Sequence, residues 1–348
     1  MLSSNIDLNN STVLITGAAG FIGSNLAARL LKDFEGIKII GIDSMNDYYD
    51  PAIKEYRLKP LMEDDRFVFV KGNIADKEML FGLFEEYKPD VAVNLAAQAG
   101  VRYSITNPDV YMESNMMGFY NILEACRAFP VKHLVFASSS SVYGSNKKIP
   151  YSTKDQVDSP VSLYAATKKS NELLAHAYSK LYQIPSTGLR FFTVYGPAGR
   201  PDMAYFGFTD KLRDGQTIQI FNYGNCRRDF TYIDDIVEGV IRVMQTAPAA
   251  NENGVQYKIY NIGNNEPENL LEFVDILQQE LIDAKVLDAD YDFEAHKKLV
   301  GMQPGDVEVT YADVTDLIED FGFKPQTSLR EGLRSFARWY HDFYMGEE

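Results

Sequence analysis

A glycine-rich turn near the N-terminus constrains the fold of this chain more than any other segment. The apolar run Thr12–Thr16 leads into it, and Gly17, Gly20 and Gly23 follow before an amphipathic stretch. Glycines between a strand and a helix allow a tight turn and a close approach of the backbone to a phosphate. The N–H groups at the start of the helix would then face an anion. The turn predicts a dinucleotide site, although such glycines can also serve the turn alone.

Short apolar runs alternate with amphipathic stretches through the first half of the chain, as strands and helices do. Because the runs are apolar throughout, the sheet should be parallel and covered by helices on both faces. The sequence therefore predicts an α/β fold: a Rossmann-type doubly wound parallel sheet with a smaller mixed α/β substrate-binding domain. Predicted strands are Thr12–Thr16, Lys38–Ile42, Phe67–Lys71, Val91–Leu95, His133–Ala137, Ser186–Phe192 and Lys258–Ile262, and predicted helices are Gly20–Asp33, Lys77–Tyr87, Asp109–Ala128 and Ser162–Leu181.

Asp43 directly follows the second predicted strand, twenty residues after Gly23. A carboxylate at this place accepts hydrogen bonds from the adenosine ribose and repels a 2′-phosphate. The position favours NAD over NADP as the cofactor, although a loop aspartate needs no ligand.

The regular alternation ends after Tyr195, where a segment rich in Gly and Pro begins. From there the chain should cross between two domains more than once, with the cleft between them at the carboxyl ends of the strands. The expected NAD-binding domain comprises residues 1–194, about 230–246 and 257–263, and the expected second domain comprises about 195–229 and 264–348, with 247–256 as a link.

The charge balance limits the possible partners. The 348 residues include 34 Lys and Arg against 49 Asp and Glu, a net charge of −15. Such an acidic chain argues against nucleic acid or an anionic membrane as a partner. No run is long and apolar enough to cross a bilayer, and the N-terminus lacks the pattern of a signal peptide.

Cysteine and histidine positions bear on metals and on the compartment. Cys126 and Cys226 lie far apart and match neither a disulfide framework nor a zinc site. The four histidines form no metal pair at helical spacing. We therefore expect no metal and a reducing, cytoplasmic setting.

Tyr164 and Lys168 stand four residues apart in a predicted helix and share one face. A phenol has a pKa of about 10, and a neighbouring ammonium favours the phenolate and lowers that pKa. The run Ser138–Ser141 follows a predicted strand and offers hydroxyls that can hydrogen-bond a reacting alcohol. Alone, each motif also fits a surface pair or a polar turn, but together they favour proton transfer to and from a hydroxyl.

In this order, the motifs resemble the extended short-chain dehydrogenase/reductases that act on nucleotide sugars. The resemblance covers nearly the whole chain and rests on Thr16–Gly23, Asn94–Ala97, Ser138–Gly144, Tyr164 with Lys168, Arg190–Pro197 and Arg228–Phe230. It implies NAD as the cofactor and Tyr164 as the base. It also implies that Lys168 tunes the base and holds the nicotinamide ribose, and that Ser139 assists the sugar hydroxyl.

The resemblance further implies the residues of the cofactor site. Asn73 stands where the family usually has Asp near the adenine, and its carbonyl oxygen could still accept from the adenine amino group. Cofactor contacts are expected at Gly17, Gly20, Phe21, Ile22, Gly23, Asp43, Asn73, Ile74, Leu95, Ala96, Ala97, Gln98, Asn115, Tyr164 and Lys168.

The serine run bears on the type of reaction. By the same resemblance, dehydratases of this family carry an Asp-Glu pair in this loop, and decarboxylases usually carry a Glu just before Val-Tyr-Gly. Ser140 and Ser141 occupy those positions here. A site that can oxidise and re-reduce a sugar, but has no acid for elimination, favours an epimerase.

Three further segments, Asp47–Asp50, Ala97–Ser104 and Gly196–Met203, look like those of UDP-glucuronate 4-epimerases. A hydroxyl at Thr193 and a guanidinium at Arg200 suit a sugar carboxylate, to which Arg can make paired bonds. A structural ion pair for Arg200 and a packing role for Thr193 are the alternatives.

The resemblance completes the expected substrate site with Arg228 at the diphosphate, Asp306 at the uridine ribose, and Ser139, Ser140 and Ser141 at the sugar. The expected reaction interconverts UDP-glucuronic acid and UDP-galacturonic acid through a 4-keto sugar. The alternatives are epimerisation of neutral UDP-sugars, decarboxylation of UDP-glucuronate, and a silent NAD-binding scaffold.

The predicted helix Asp109–Ala128 carries more apolar residues than one buried stripe needs. These residues are Tyr111, Met112, Met116, Phe119, Tyr120 and Leu123. Together with Ser162–Leu181, this helix could form a two-fold four-helix interface, as in family members. We expect a homodimer, with ordinary core packing as the alternative.

Overall fold

The structure is a computed structural model that describes residues 1–302 and 308–346. Its strands are β1 (Thr12–Thr16), β2 (Lys38–Asp43), β3 (Phe67–Lys71), β4 (Val91–Asn94), β5 (His133–Ser139), β6 (Ser186–Phe191), β7 (Thr193–Tyr195), β8 (Ile218–Ile220), β9 (Arg227–Tyr232), β10 (Tyr257–Ile262), β11 (Pro267–Asn269), β12 (Lys297–Leu299) and β13 (Val309–Thr310).

The helices alternate with the strands through the first half of the chain. They are α1 (Phe21–Asp33), α2 (Pro51–Met62), α3 (Lys77–Tyr87), α4 (Tyr103–Thr106), α5 (Pro108–Tyr111), α6 (Gly118–Ala128), α7 (Leu163–Tyr182), α8 (Ala204–Arg213), α9 (Ile233–Met244), α10 (Leu270–Asp283), α11 (Thr315–Phe321) and α12 (Leu329–Tyr344), with a π-helical turn at Met112–Met117 and 3-10 turns at Ser140–Tyr143 and Phe221–Gly224.

Seven strands of the described chain form one parallel sheet in the order β10-β6-β5-β4-β1-β2-β3. The order reverses at β1, which pairs with β2 on one side and with β4 on the other. The carboxyl ends of these strands meet at one edge, where open α/β sheets bind ligands. The Rossmann-type doubly wound parallel sheet predicted from the sequence is confirmed.

The strands are apolar throughout because both faces of the sheet are covered. In β1, Val13 and Ile15 belong to an apolar cluster on one face, and Leu14 belongs to a cluster on the other. Helix α9 packs against the first of these clusters through Ile236 and Val240. The second half of the chain therefore returns to this sheet, as the predicted segments 230–246 and 257–263 require.

A third apolar cluster lies away from the sheet and joins α8, α10 and α12 to β9. Phe230 and Phe273 stack there with ring centroids 4.6 Å apart, and Phe206 and Phe336 pack nearby. This separate core supports the two-domain division proposed from the sequence, whose boundaries stay a prediction.

The structure contains more elements than were predicted, and two differences bear on the site. Helix α2 is absent from the predicted set because Lys54 and Arg57 are buried in it and interrupt the apolar stripe. The predicted helix Asp109–Ala128 contains the π-helical turn Met112–Met117. Within this turn, the backbone carbonyl of Asn115 accepts a hydrogen bond of 3.0 Å from the side chain of Asn171 on α7, a contact that no local pattern reveals.

A buried ion pair attaches α7 to the sheet. The Glu172 carboxylate accepts bonds of 2.8 and 2.9 Å from the Arg190 guanidinium on β6. Ser138 on β5 donates to the same carboxylate at 2.7 Å, and Arg190 also donates to the Tyr143 hydroxyl at 3.0 Å. Burial opposes the charge of Glu172, but the hydrogen bonds and charge of Arg190 hold its pKa below the ordinary value.

Replacement of Glu172 by Gln should destabilise the fold by about 3 kcal/mol, because it leaves the Arg190 charge buried without a counter-charge. The pair should also weaken as the pH falls through the lowered pKa of Glu172 in the folded state. Urea unfolding at neutral pH and at about pH 4 measures both effects. As a control, Asp33→Asn removes the partner of the more exposed Arg29 and should cost less than about 1 kcal/mol. Equal losses in the two variants would contradict this role of the buried pair.

Candidate active site

A cavity of about 1300 Å³ opens at the carboxyl edge of the sheet. It lies beside the glycine-rich turn and the ends of β2, β4, β5 and β6. The predicted site residues that line it are Gly17, Gly20, Phe21, Ile22, Gly23, Asp43, Asn73, Ile74, Leu95, Ala96, Ala97, Gln98, Ser139, Ser140, Ser141, Tyr164, Lys168, Thr193, Arg200 and Arg228. Asn115 does not line the cavity, and Asp306 lies outside the described residues.

The glycine-rich turn packs so closely against neighbouring backbone that no side chain fits at two of its glycines. Gly17 has φ +73°, and a Cβ on it would lie 2.8 Å from the backbone nitrogen of Ala96. A Cβ on Gly23 would lie 2.2 Å from the carbonyl oxygen of Gly17. No described side chain caps α1, and its first turn has no acidic residue. The start of α1 therefore fits the pyrophosphate of a dinucleotide.

Asp43 is held in place at the end of β2. Its carboxylate accepts from the N–H groups of Ala19 at 3.1 Å and of Met45 at 2.9 Å. Nζ of Lys54 lies 3.9 Å from Oδ1 of Asp43, and burial lowers the pKa of Lys54. The carboxylate is thus fixed at the cavity wall, where it could accept from ribose hydroxyls.

The two asparagines predicted at the cofactor site differ in position. Asn73 lines the cavity, and its amide donates to Glu113 at 2.8 Å while its oxygen accepts from the Ala75 N–H. Asn115 is buried, and its side chain bonds the backbone N–H and C=O of Gln98 at 2.8 and 3.0 Å. The structure therefore gives Asn115 an indirect role: it holds the backbone of Gln98 at the cavity wall.

Tyr164 and Lys168 both line the cavity from α7, as the sequence predicts. Nζ of Lys168 donates to the backbone carbonyl of Ala137 at 2.8 Å. Burial and the charge of Arg200 together lower the pKa of Lys168 to about 8. Burial raises the pKa of Tyr164, whereas Ser139 and the charge of Arg200 act to lower it. Ser139 and Arg200 therefore favour the phenolate, and the tuning of Tyr164 by Lys168 stays a prediction.

The serine run has distinct partners along its length. Ser138 is committed to Glu172, whereas the hydroxyl of Ser139 caps the turn Ser140–Tyr143 by accepting from the Ser141 N–H at 3.1 Å. The Ser139 hydroxyl also donates to the hydroxyl of Ser141 at 3.1 Å. Within the run, Ser139 is the residue that acts to lower the pKa of Tyr164, which suits proton transfer at a substrate hydroxyl.

Arg200 forms the structural ion pair that the sequence left as an alternative. Its Nε donates to Oδ1 of Asp202 at 3.0 Å, and Nη2 donates to Oδ2 at 2.5 Å. The Tyr48 hydroxyl donates to the same carboxylate at 3.2 Å, and burial together with the charge of Asp202 raises the pKa of Tyr48 to about 12. The Arg200 charge still acts on both Tyr164 and Lys168, which line the same cavity.

Arg228 lies on β9 and lines the cavity. Its Nη1 donates to the carbonyls of Arg227 at 2.9 Å and Glu308 at 3.1 Å. The next residue, Asp229, is buried and accepts from the N–H groups of Asn264 and Ala312. Burial raises the pKa of Asp229 to about 6. Asp229 thus anchors the strand that presents Arg228 to the cavity.

The carboxylates among the described cavity residues are Asp43 and Asp202, and both already have partners. Neither belongs to the serine run beside Tyr164. Within residues 1–302 and 308–346, no group of three or more His, Cys, Asp or Glu side chains could hold a metal ion. The arrangement suits proton transfer at a hydroxyl beside a bound dinucleotide.

Four cavity or near-cavity residues were not among the predicted ones. Lys54, Arg57 and Tyr48 come from α2 and the segment before it, and Asp202 comes from the loop that carries Arg200. Tyr48 and Asp202 do lie in segments that the sequence singled out. The sequence signal that could have identified Lys54 and Arg57 is weaker. It consists of charged residues at positions where a helix would normally bury apolar ones.

Comparison with known proteins places this geometry in a family. Residues 13–263 match the model of the NAD dependent epimerase/dehydratase family. Protein CapI of Staphylococcus aureus is 50% identical over 343 residues, which cover 95% of this chain and 99% of that protein. UDP-glucuronate 4-epimerase 4 of Arabidopsis thaliana is 46% identical over 351 residues, which cover 98% of this chain and 77% of that protein.

A solved structure extends the comparison to three dimensions. The crystal structure of UDP-glucuronic acid 4-epimerase from Bacillus cereus, in complex with UDP-glucuronic acid and NAD, superposes with a TM-score of 0.84 and 32% identity. The match covers 96% of this chain and all of that chain. Among the helices of the described residues, none has both the length and the apolar character that a membrane crossing requires. The chain belongs to the NAD dependent epimerase/dehydratase family.

Proposed function

We propose that this protein is a UDP-glucuronate 4-epimerase, which interconverts UDP-glucuronic acid and UDP-galacturonic acid with NAD as a bound cofactor. The observation that carries the proposal is that Arg200 lines the same cavity as Tyr164, Lys168 and the glycine-rich turn, and that its charge acts on both Tyr164 and Lys168. A fixed positive charge next to the base suits a sugar that bears a carboxylate. The names of the Arabidopsis and Bacillus relatives support the same activity.

Tyr164 is the group that accepts and returns the proton of the sugar hydroxyl. Its phenolate accepts the proton of the C4 hydroxyl, and Ser139 hydrogen-bonds the same oxygen. When bound, NAD supplies what no side chain offers, because it accepts a hydride and returns it. After the 4-keto sugar has rotated within the cavity to present its other face, Tyr164 returns the proton to the oxygen at C4. Lys168 holds the backbone of Ala137 and could reach the nicotinamide ribose from there.

The sugar carboxylate requires its own restraint. A 4-keto uronic acid is a β-keto acid and can lose CO₂, so an epimerase must hold the carboxylate in an orientation that disfavours this loss. Thr193 and Arg200 line the cavity near Tyr164 and provide a hydroxyl and a guanidinium for this purpose. The carboxylate would compete with Asp202 for Arg200, and the neighbouring serine run adds further donors.

The cavity also argues against elimination of water. A dehydratase needs an acid and a base beyond the Tyr164 phenol, and Ser140 and Ser141 offer neither. Asp43 and Asp202, the carboxylates among the described lining residues, are engaged by backbone N–H groups and by Arg200. This chemistry favours epimerisation, in which one base suffices because the sugar turns.

Tyr164→Phe should lower turnover of UDP-glucuronate by about 100- to 10,000-fold, because the C4 proton loses its acceptor. NMR of the products identifies UDP-galacturonate and separates it from a UDP-pentose formed by decarboxylation. Tyr178→Phe provides a matched control on the same helix, since the Tyr178 hydroxyl bonds Glu124 away from the cavity. Near-normal turnover by Tyr164→Phe, or wild-type protein that forms no UDP-galacturonate, would overturn the proposed function.

Arg200→Ala should reduce kcat/KM for UDP-glucuronate by about 100-fold, because the sugar carboxylate loses a charged partner in a partly buried site. The remaining activity should need a higher pH, since the charge that lowers the pKa of Tyr164 is gone. A pH profile of kcat/KM for both proteins measures the shift. Activity with UDP-glucose should show the same pH shift without the additional loss that UDP-glucuronate suffers. A small effect on UDP-glucuronate would instead favour an enzyme for neutral sugars, as the Arg200–Asp202 pair allows.

We also propose that the protein forms a homodimer through α6 and α7. Of the apolar residues counted in the sequence, Tyr111, Phe119 and Leu123 are buried in the chain's own core. Met112 and Tyr120 of the same set remain exposed, and so do Met117 at 52% and Leu173 at 60% exposure. Several exposed large apolar residues on the π-helical turn, α6 and α7 support a subunit interface there.

Leu173→Glu should convert a dimer into a monomer, because it places a charge in the centre of the proposed interface. Sedimentation velocity at micromolar concentration measures the change. Met62→Glu on α2 is the matched control, since Met62 is 61% exposed but lies away from α6 and α7. A monomeric wild-type protein, or equal behaviour of the two variants, would contradict the proposed interface.

A cytoplasmic location completes the proposal. Cys126 and Cys226 are both free and buried, as suits a reducing compartment. Burial raises the pKa of the Cys126 thiol, which keeps it protonated and unreactive.

A further inference from the structure

Arg57 on α2 has its guanidinium buried between two loops of the cavity wall. Nε donates to the carbonyl of Ala198 at 2.9 Å, and Nη2 donates to the carbonyl of Gly199 at 2.9 Å. Nη1 donates to the carbonyl of Ala19 at 3.0 Å and to the hydroxyl of Tyr49 at 2.7 Å. One side chain therefore joins the glycine-rich turn to the segment immediately before Arg200.

The partners of Arg57 are unusual for a buried arginine. The residue is 5% exposed, yet each of these four hydrogen bonds goes to a neutral oxygen. Burial of a charge is costly, and a carboxylate partner is the usual compensation. The planar guanidinium instead donates hydrogen bonds in several fixed directions, so it can hold several acceptors in place at once. This choice indicates positioning rather than stability as the role of Arg57.

The loop that Arg57 holds is conformationally strained. Ala198 has φ +51°, in the left-handed region that favours glycine, and Gly196 has φ +148°. A Cβ on Gly199 would lie 1.7 Å from the Tyr205 hydroxyl, so the backbone there passes against packed side chains. Such a conformation persists only where neighbouring contacts enforce it. The two bonds from Arg57 are contacts of this kind, and Arg200 follows directly in the chain.

The other end of the connection lies at the cofactor side of the cavity. Ala19 stands between Gly17 and Gly20, and its N–H donates to Asp43. Arg57 binds the carbonyl of the same residue. The loop before Arg200 is therefore docked on the turn that is proposed to hold the pyrophosphate of NAD. Tyr48 strengthens this junction through its bond to Asp202.

We propose that Arg57 is a positioning residue for recognition of the sugar carboxylate. It holds the strained segment Gly196–Gly199 against the glycine-rich turn, and thereby sets Arg200 beside Tyr164. This inference rests on the proposed function, because it assigns Arg57 to the selection of an acidic sugar. Loss of Arg57 should weaken binding of the sugar carboxylate and leave the contacts with the uridine diphosphate unchanged.

The test compares Arg57→Met and Arg57→Lys with the wild-type protein, all loaded with NAD. Affinities for UDP-glucuronate and for UDP-glucose are measured by calorimetry, and kcat/KM for UDP-glucuronate by NMR. Each Arg57 variant is also made in the Arg200→Ala background to complete a double-mutant cycle. Arg66→Met and Arg66→Lys are the controls, since Arg66 also donates to backbone carbonyls, those of Leu31 and Phe34, but away from the cavity.

We expect Arg57→Met to weaken UDP-glucuronate binding by about tenfold or more, with UDP-glucose nearly unaffected, and to lower kcat/KM in parallel. Arg57→Lys should fall between, because an ammonium cannot bond four oxygens at these positions. In the Arg200→Ala background, the Arg57 substitutions should add little, since both residues act through the same contact.

Equal losses of affinity for the two ligands, or effects that simply add to those of Arg200→Ala, would show a merely structural role and overturn the inference.

If Arg57→Met does not fold, Tyr49→Phe provides a milder change, because it removes one acceptor and leaves the three backbone bonds of Arg57. The binding cycle decides the role of Arg57 even where the wild-type protein forms no UDP-galacturonate. That latter outcome would refute the proposed function on its own.

Discussion

The buried ion pair between Glu172 and Arg190 is the interaction on which the arrangement of the site depends. It joins α7 to β5 and β6 at the edge where the strands end. Lys168 lies one turn before Glu172, and Tyr164 lies one turn before Lys168. The same carboxylate accepts from Ser138, so the base and the serine run are located by one contact. A charge pair in this place costs desolvation, but its directional bonds restrict α7 to one orientation.

Positive charges held by neutral oxygens recur around the cavity. Lys168 donates to a backbone carbonyl, and Arg57 donates to three carbonyls and a phenol. Among residues 1–302 and 308–346, no carboxylate forms a salt bridge with either cation, which explains how a chain of net charge −15 can provide a site for an anionic ligand. The electrostatics of the cavity are therefore local and differ in sign from the charge of the whole molecule.

Much of the fold follows from local pattern, and less of the site does. The strands of the sheet match the apolar runs because each run is buried on both faces. Helix α2 was not predicted because the charged residues Lys54 and Arg57 interrupt its apolar stripe. They can be buried there since loops outside the helix supply their hydrogen-bond acceptors. The motif residues mostly line one cavity, but their hydrogen-bond partners could not be read from the sequence. Lys168 donates to the backbone of Ala137, and Asn115 binds Gln98 beneath the cavity surface.

The sequence by itself determined the glycine-rich turn, the parallel sheet and the identity of the chemical groups, because turn geometry and apolar periodicity are local properties. Only the tertiary structure decided which group acts on which. The Tyr164 pKa depends on burial, Ser139 and Arg200, and Arg200 in turn depends on a loop held by Arg57. Contacts of this kind join residues far apart in the chain, and their strength depends on distance and burial, which spacing along a sequence does not contain.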